Sequence, residues 1–286
     1  MNFTPIISIV IPTCNRNALL HACLDSLSPS TQTLNSSYYE VIVTDDSDEN
    51  SAKKLIEDMF AWVKWVEGPK KGPAANRNNG AKHINGEWLV FIDDDCITNK
   101  NLLTNYRTAI LCYQDILVFE GSIKPDRPQN NFTEESPINE NGGCLWSCNF
   151  MIEKKLFEGK LKGFDEQFPY AAMEDVDLHY RLKKAGLDIK FLKDAYVIHP
   201  WRQQKNLIGT TLKRFKSTLY FLKKHPERNR DINSIYYLRI FFNSFVKNTL
   251  YKSFEYKFKG ILMKIVYDFL HLGFSVYFLF KKNKLQ

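Results

Sequence analysis

Glu87-Trp88-Leu89-Val90-Phe91-Ile92-Asp93-Asp94-Asp95 is the stretch that decides how this chain is read. Five apolar residues in a row, aromatic and β-branched among them, form the pattern of a strand buried on both faces. Three acids follow at once. Inside a closed core they would repel one another, so they belong at an open strand end. Hard oxygen donors of this kind suit Mg2+ or Mn2+, ions that bridge diphosphates. The plainer alternative is a solvated turn whose acids cap a helix.

Working outward, residues 6–11 read as a buried strand ending at Pro12, and residues 17–27 show helical spacing. A second buried strand over residues 40–44 runs into Asp45-Asp46-Ser47. Residues 51–60 are helical, 62–67 a short third strand, and 72–84 a loop entering a helix. Strands alternating with helices imply βαβ units and a parallel sheet. Ligands of such sheets bind at the carboxyl ends of the strands, where both acid clusters fall. A carboxylate at Asp45-Asp46 can accept hydrogen bonds from a base or ribose; an Asx turn capping the following helix is the alternative. Further on, residues 124–143 read as a long loop, and residues 189–192 and 195–198 as two short strands. From Leu207 onward only helical patterns occur. Glu174-Asp175 opens a helix either as capping acids or as a general base, and local sequence does not choose.

The 286 residues are 44% hydrophobic and 25% charged, which allows a sizeable core. Their net charge of +7 conceals a split: residues 202–286 carry 18 Lys/Arg against four acids, and the remainder is net acidic. A basic tail points to nucleic acid or to an anionic membrane surface. The six cysteines form no C-x-x-C pair and have no matching histidine cluster, so no zinc site is expected and the thiols should be free, as in a reducing cytoplasm. Residues 1–5 lack a basic signal-peptide n-region. Across residues 261–280 the polar Lys264, Asp268, His271 and Ser275 are spaced four, three and four apart, one helical stripe against an apolar, aromatic remainder, with Lys281, Lys282 and Lys284 after it. Arg239, Asn243 and Lys247 form a second stripe. Basic amphipathic helices with aromatic faces lie in the membrane interface; Lys264, Asp268 and His271 argue against spanning. Packing on the catalytic domain or a second subunit is the alternative.

The ordered set of motifs resembles the family 2 glycosyltransferases of GT-A fold. It comprises residues 8–16 (Ser-Ile-Val-Ile-Pro-Thr-Cys-Asn-Arg), residues 40–47, Arg77-Asn78-Asn79-Gly80 with Gly86-Glu87, Phe91-Ile92-Asp93-Asp94-Asp95, Gly163-Phe164-Asp165-Glu166, and Glu174-Asp175-Val176-Asp177-Leu178 with Arg181. Each piece is weak alone; their order over residues 5–201 is specific. The resemblance implies an α/β, Rossmann-like, mostly parallel sheet flanked by helices, and a C-terminal helical extension. It implies a catalytic domain over 1–204, with a nucleotide-binding half (1–97) and an acceptor half (98–204); the charge and helical stripes of the tail make 205–286 a basic amphipathic extension. It implies an inverting transfer from a nucleotide sugar, expected to be a UDP-sugar, to a hydroxyl of a glycan or lipid-linked glycan in surface polysaccharide synthesis.

Residue by residue, the resemblance implies that Pro12, Thr13 and Arg16 line the nucleotide pocket, that Asp46 with Asp45 reads the base, and that Arg77 sits near base or phosphates. Asp93 would hold the ribose. Asp94 and Asp95 would be the DxD-type acids for Mn2+ or Mg2+, with Asp95 the direct ligand and His199 touching the metal or diphosphate. Asp175 would be the base, with Glu174 toward the acceptor; Trp146, from its own chemistry, would stack on sugar or lipid unless it packs in the core. Cys14, Thr44 and Ser47 depart from the common Tyr, Val and Gly of the family. The enzyme is expected at the inner face of the cell membrane, without nucleic acid as a partner. A nucleotidyltransferase would use similar acids but normally shows a Gly-rich basic loop, and Thr13-Cys14-Asn15-Arg16 has no glycine. A non-catalytic nucleic-acid binder conflicts with the acids, which repel phosphates unless a cation intervenes.

Overall fold

The fold is taken from a computed structural model, which describes residues 5–49 and 51–282. The N-terminal residues 1–4, Asn50 and residues 283–286, with Lys284 of the expected basic end, lie outside the described residues. The chain forms two compact units. The first comprises Met1–Asp126, Pro137–Gln167 and Glu174–Pro200; the second comprises Arg127–Ser136, Phe168–Met173 and Trp201–Gln286.

The first unit begins with the expected alternation: β1 (Ile7–Thr13), α1 (Asn17–Leu27), β2 (Tyr39–Asp45), α2 (Lys53–Met59), β3 (Val63–Glu67), α3 (Pro73–Ala81) and β4 (Trp88–Ile92). Then come β5 (Ile97–Thr98), α4 (Leu102–Cys112), β6 (Val118–Pro125), β8 (Asn149–Glu153), α5 (Glu174–Lys184) and β9 (Lys190–His199), with β7 (Glu134–Glu135) of the second unit falling between β6 and β8 in the chain. Eight strands make one sheet in the order β3-β2-β1-β4-β8-β6-β9-β5. β3, β2, β1 and β4 run parallel, as do β6 and β9, while β8 lies antiparallel to both β4 and β6.

Central strands are apolar on both faces because helices cover both faces. Ile7, Ile9, Ile11, Val41, Val43, Val90 and Ile92 point into one core with Leu20 and Leu24 of α1. Their neighbours Val10, Ile42, Leu89 and Phe91 point into the other, with Ala81 of α3 and Leu178 and Leu182 of α5. Each such side chain contributes about 1.5–3 kcal/mol by leaving water. The period-two alternation therefore serves two cores. α3 approaches closely enough that a Cβ on Gly80 would lie 2.5 Å from a methyl of Val10.

Chain order reverses at β1: β2 lies on one side of it and β4 on the other. The carboxyl ends of β1 and β4 thus flank the crevice where an open α/β sheet binds its ligand. Two expectations change. The two short strands of residues 189–198 are one strand, β9, whose pairing with β6 shifts register between Gly121 and Ser122. Residues 124–143 are not all loop: β6 extends to Pro125 and β7 pairs with β10 (Arg202–Gln203). All six cysteines are free thiols.

The second unit holds α6 (Leu207–Lys224), α7 (Ser234–Phe242), a π-helical segment Asn243–Leu250 and α8 (Ile261–Lys282). The polar stripe of α8 exists but is turned inward. Lys264, Asp268, His271 and Ser275 are all buried. Asp268 Oδ1 accepts from the Ser244 hydroxyl at 2.7 Å and pairs with Lys264, and Oδ2 accepts from Thr249 at 2.5 Å. Ser275 bonds to Ser234 at 2.8 Å. Polar groups find each other inside the helical unit beside Phe274 and Phe278, and part of the apolar surface of α8, Leu262, Val266, Phe269, Val276, Tyr277, Leu279 and Phe280, is left exposed.

Candidate active site

The acids after β4 meet the end of β1. The Thr13 hydroxyl donates to Asp94 Oδ2 at 2.8 Å, and Arg16 lies 2.6 Å from Asp94 Oδ1 and 3.7 Å from Asp95. Asp94 has no exposed surface. Burial pushes its carboxyl up to about 6, against the opposing pull of Arg16 and Thr13. Pro12 completes the end of β1 and is buried with Thr13.

Asp95 Oδ1 lies 3.5 Å from His199 Nε2 at the end of β9. The other ring nitrogen, Nδ1, sits 2.9 Å from the Pro200 carbonyl, which can only accept. In the neutral ring the proton is therefore on Nδ1, and Nε2 turns a lone pair toward the Asp95 carboxylate. An imidazole nitrogen and a carboxylate oxygen at this spacing are donor types that a divalent cation takes. Cys96 Sγ belongs to the same cluster, within 4.8 Å. Burial raises its thiol well above the usual range.

Asp45 and Asp46 divide their work. Asp45 accepts from the backbone N–H groups of Ser47 and Ala52, from Ser51 and from the Trp65 indole, at 2.7 to 3.2 Å. This is the Asx turn leading into α2. Burial raises its carboxyl, but these donors outweigh it and bring the pKa below the usual range. Asp46 accepts from the Lys70 N–H at 2.8 Å, and burial raises its carboxyl. Asn76 of α3, which the sequence reading passed over, braces this end of the sheet. Its Nδ2 donates to the carbonyls of Thr13 at 3.3 Å and Thr44 at 2.9 Å, and its Oδ1 accepts from the Thr44 hydroxyl at 2.6 Å.

Arg77 joins the strand-end acids to the start of α5. It is 5% exposed and lies 2.6 Å from Asp93 Oδ1 and 3.6 Å from Glu174 Oε1. Among the described residues its Nε and Nη1 and the Glu174 Oε2 have no hydrogen-bond partner. Unspent buried donors are rare and mark a ligand site or strain. Glu174 is buried, and burial raises its pKa. The next residue, Asp175, is partly exposed; desolvation first, then the neighbouring Glu174 charge, push it up to about 7. Asp177 anchors the helix: Arg181 bonds to it at 2.7 Å and donates to the carbonyls of Leu161 and Gly163. Around Arg16 and Arg77 stand five carboxylates, Asp93, Asp94, Asp95, Glu174 and Asp175. The excess of negative charge calls for a cation. Trp146 is half-buried against the core that contains β1 and β4.

The sequence model of the family described as Glycosyl transferase family 2 matches residues 8–159. A poly(ribitol-phosphate) beta-glucosyltransferase of Bacillus spizizenii is 34% identical over 222 residues, 67% of this chain and 34% of that protein. A GalNAc(5)-diNAcBac-PP-undecaprenol beta-1,3-glucosyltransferase of Campylobacter jejuni is 31% identical over 57% of this chain and 56% of its own. The chain thus spans a third to just over half the length of these two relatives. Among solved structures, Staphylococcus aureus TarS 1-349 in complex with UDP-GlcNAc aligns with a TM-score of 0.56 at 24% identity, over 70% of this chain and 60% of that one. A mannosyltransferase of Pyrobaculum calidifontis in complex with GDP-Man and Mn2+ aligns with a TM-score of 0.60 at 18% identity, over 79% and 65%. At these identities the likeness is one of fold.

Proposed function

The chain belongs to glycosyl transferase family 2, and on that premise we propose that it moves a sugar from a UDP-sugar to a hydroxyl of a glycan or lipid-linked glycan, with inversion at the anomeric carbon. One observation carries this reading: Asp175 opens α5 beside Glu174, and buried Arg77 bridges Glu174 at 3.6 Å and Asp93 of the strand-end acids at 2.6 Å.

Asp175 takes the proton from the acceptor hydroxyl as its oxygen bonds to the anomeric carbon. The bond from that carbon to the diphosphate breaks on the opposite face, and the nucleoside diphosphate leaves. No enzyme nucleophile takes part. Arg77, with donors to spare, and Arg16 bind the diphosphate. Pro12, Thr13, Asp45, Asp46 and Asp93 shape the nucleoside site, Asp45 by setting the turn that presents Asp46. Asp95, Asp94 and His199 have the donor set for Mn2+ or Mg2+, and the facing of Asp95 Oδ1 and His199 Nε2 fits it. When bound, such an ion offsets charge on the leaving diphosphate. Glu174 and Trp146 border the acceptor. The relatives named for poly(ribitol-phosphate) and for an undecaprenol-linked glycan support a surface polysaccharide or lipid-linked acceptor. The basic second unit docks peripherally on the anionic inner face of the cell membrane, and no nucleic acid is a partner.

A panel of nucleotide sugars with Mn2+, read by nucleoside diphosphate release, tests the proposal. Release is expected with one or a few UDP-sugars and not after chelation; release from none of the panel would sink it.

A further inference from the structure

We propose that the second unit holds the membrane by inserting an aromatic face, rather than by charge alone. The inference rests on the docking part of the reading above and is independent of the transfer chemistry.

α8 turns its polar stripe inward, with Phe274 and Phe278, and leaves a second apolar face outside. Its polar residues are buried and satisfied by one another and by α7 and the π-helical segment. Leu262, Phe269 and Phe280, on the outside, are 77%, 52% and 66% exposed. A water-facing helix normally shows the opposite arrangement. Exposed apolar patches of this kind mark interaction surfaces.

The turn before α8 adds an independent observation. Lys257 and Phe258 both have positive φ, 49° and 61°, which costs about 1–3 kcal/mol per residue unless the surroundings require it. The turn presents Phe254 and Phe258 edge to face at 5.4 Å, 80% and 51% exposed, with exposed Lys257 and Lys259 beside them. Aromatic side chains flanked by lysines match a lipid interface, where rings enter the acyl boundary and ammonium groups stay among anionic headgroups.

Charge selects the occupant. After residue 231 the acids are Glu255 and Asp268, and Asp268 is fully buried in its ion pair, while nine Lys/Arg occur. A two-fold contact would set this basic rim against itself; an anionic bilayer complements it. By length and composition α8 alone could cross a membrane. Its packed neighbours expose Arg239, Asn243 and Lys247, which hydrocarbon would not accept, so the bundle lies in the interface.

The test is co-sedimentation of the full chain with phosphatidylglycerol–phosphatidylcholine vesicles and with phosphatidylcholine vesicles, at low and high salt. Wild type should bind the anionic vesicles and remain partly bound at high salt. The doubles Phe254→Ser/Phe258→Ser and Leu262→Ser/Phe269→Ser alter exposed side chains; each should lower affinity at least about tenfold with an unchanged circular dichroism melt. Binding that vanishes at high salt and ignores both doubles would overturn insertion while leaving electrostatic docking. Absence of anionic-vesicle binding at low salt, with a dimer seen by light scattering that the doubles dissolve, would overturn docking too and assign the face to a second copy. UDP-sugar turnover on a soluble acceptor should be equal in all three proteins, which separates this inference from the transferase reading.

Discussion

At the scale of single residues, the chemistry depends on how environment separates nearly identical acids. Asp45 is taken below the ordinary carboxylate range by its donors, while burial and a like charge push Asp175 up to about 7. A base works only when ionised. Below pH 7 Asp175 is increasingly protonated, so log kcat/KM should fall with falling pH, toward a slope of one, from about that value. A flat profile between pH 5 and pH 8 would exclude it as the base. The acids also differ toward the donor. Asp95→Ala should weaken UDP binding by at least about tenfold with Mn2+ present and little without it. Asp46→Ala should weaken it equally with and without Mn2+. Calorimetry showing no Mn2+ effect on wild-type UDP affinity would contradict the assignment of Asp95 and His199.

Among the elements, the carboxyl end of the β1–β2–β3 parallel set is where small changes should matter most. A Cβ on Gly68 would lie 2.2 Å from Asp46 Oδ1 and 2.8 Å from the Asp45 backbone carbonyl carbon. Backbone cannot give way as a flexible side chain can. Gly68→Ala should cost about 1–3 kcal/mol in denaturant unfolding and weaken UDP binding besides; wild-type values for both would contradict the close approach at this turn. The elements of this half were legible because their signals are local. β1, β2 and β4 each centre on three or more consecutive apolar residues, most of them β-branched, and α1 was expected at the residues where it occurs. β6 and β8 were not expected, although Val118–Pro125 and Asn149–Glu153 are central to the sheet. Their runs contain Glu120 and Asn149, polar residues that interrupt the apolar pattern. In the fold both are buried and satisfied: Glu120 accepts from the Gly143 and Cys144 N–H groups, and Asn149 donates to Ser122 and Ala195. The partners are up to 46 residues away, which no local window sees. Asn76 escaped notice for the same reason, whereas the acids announced themselves by clustering.

For the molecule as a whole, the basic residues 202–286 fall in the helical second unit, together with two short stretches of earlier chain, and the rest of the net acidic remainder makes the sheet unit. Pattern alone located the polar stripe of α8 but could not say which way it faced, because a stripe of period 3.6 is the same whether it meets water or another helix. Ser244 and Thr249 decide it by giving Asp268 and Lys264 partners. Asp268→Ala would remove the acceptor for three buried donors and leave Lys264 uncompensated. It should destabilise the helical unit by about 3–5 kcal/mol, seen as lost hydrogen-exchange protection across α7 and α8 while β1, β2 and β4 stay protected. Unchanged protection in α8 would mean the ion pair is not what orients it.

The central claim is that Asp175 is the base of a glycosyl transfer fed by a nucleotide sugar held on the strand-end acids. Its most direct test is the rate of UDP release from the turned-over UDP-sugar, with Mn2+ and acceptor, for wild type and Asp175→Asn side by side, with UDP affinity measured on both. Release should fall by about 10²–10⁴-fold in the variant while UDP affinity changes less than about twofold, because the base touches the acceptor and not the nucleotide. Near-normal release from Asp175→Asn would contradict the account.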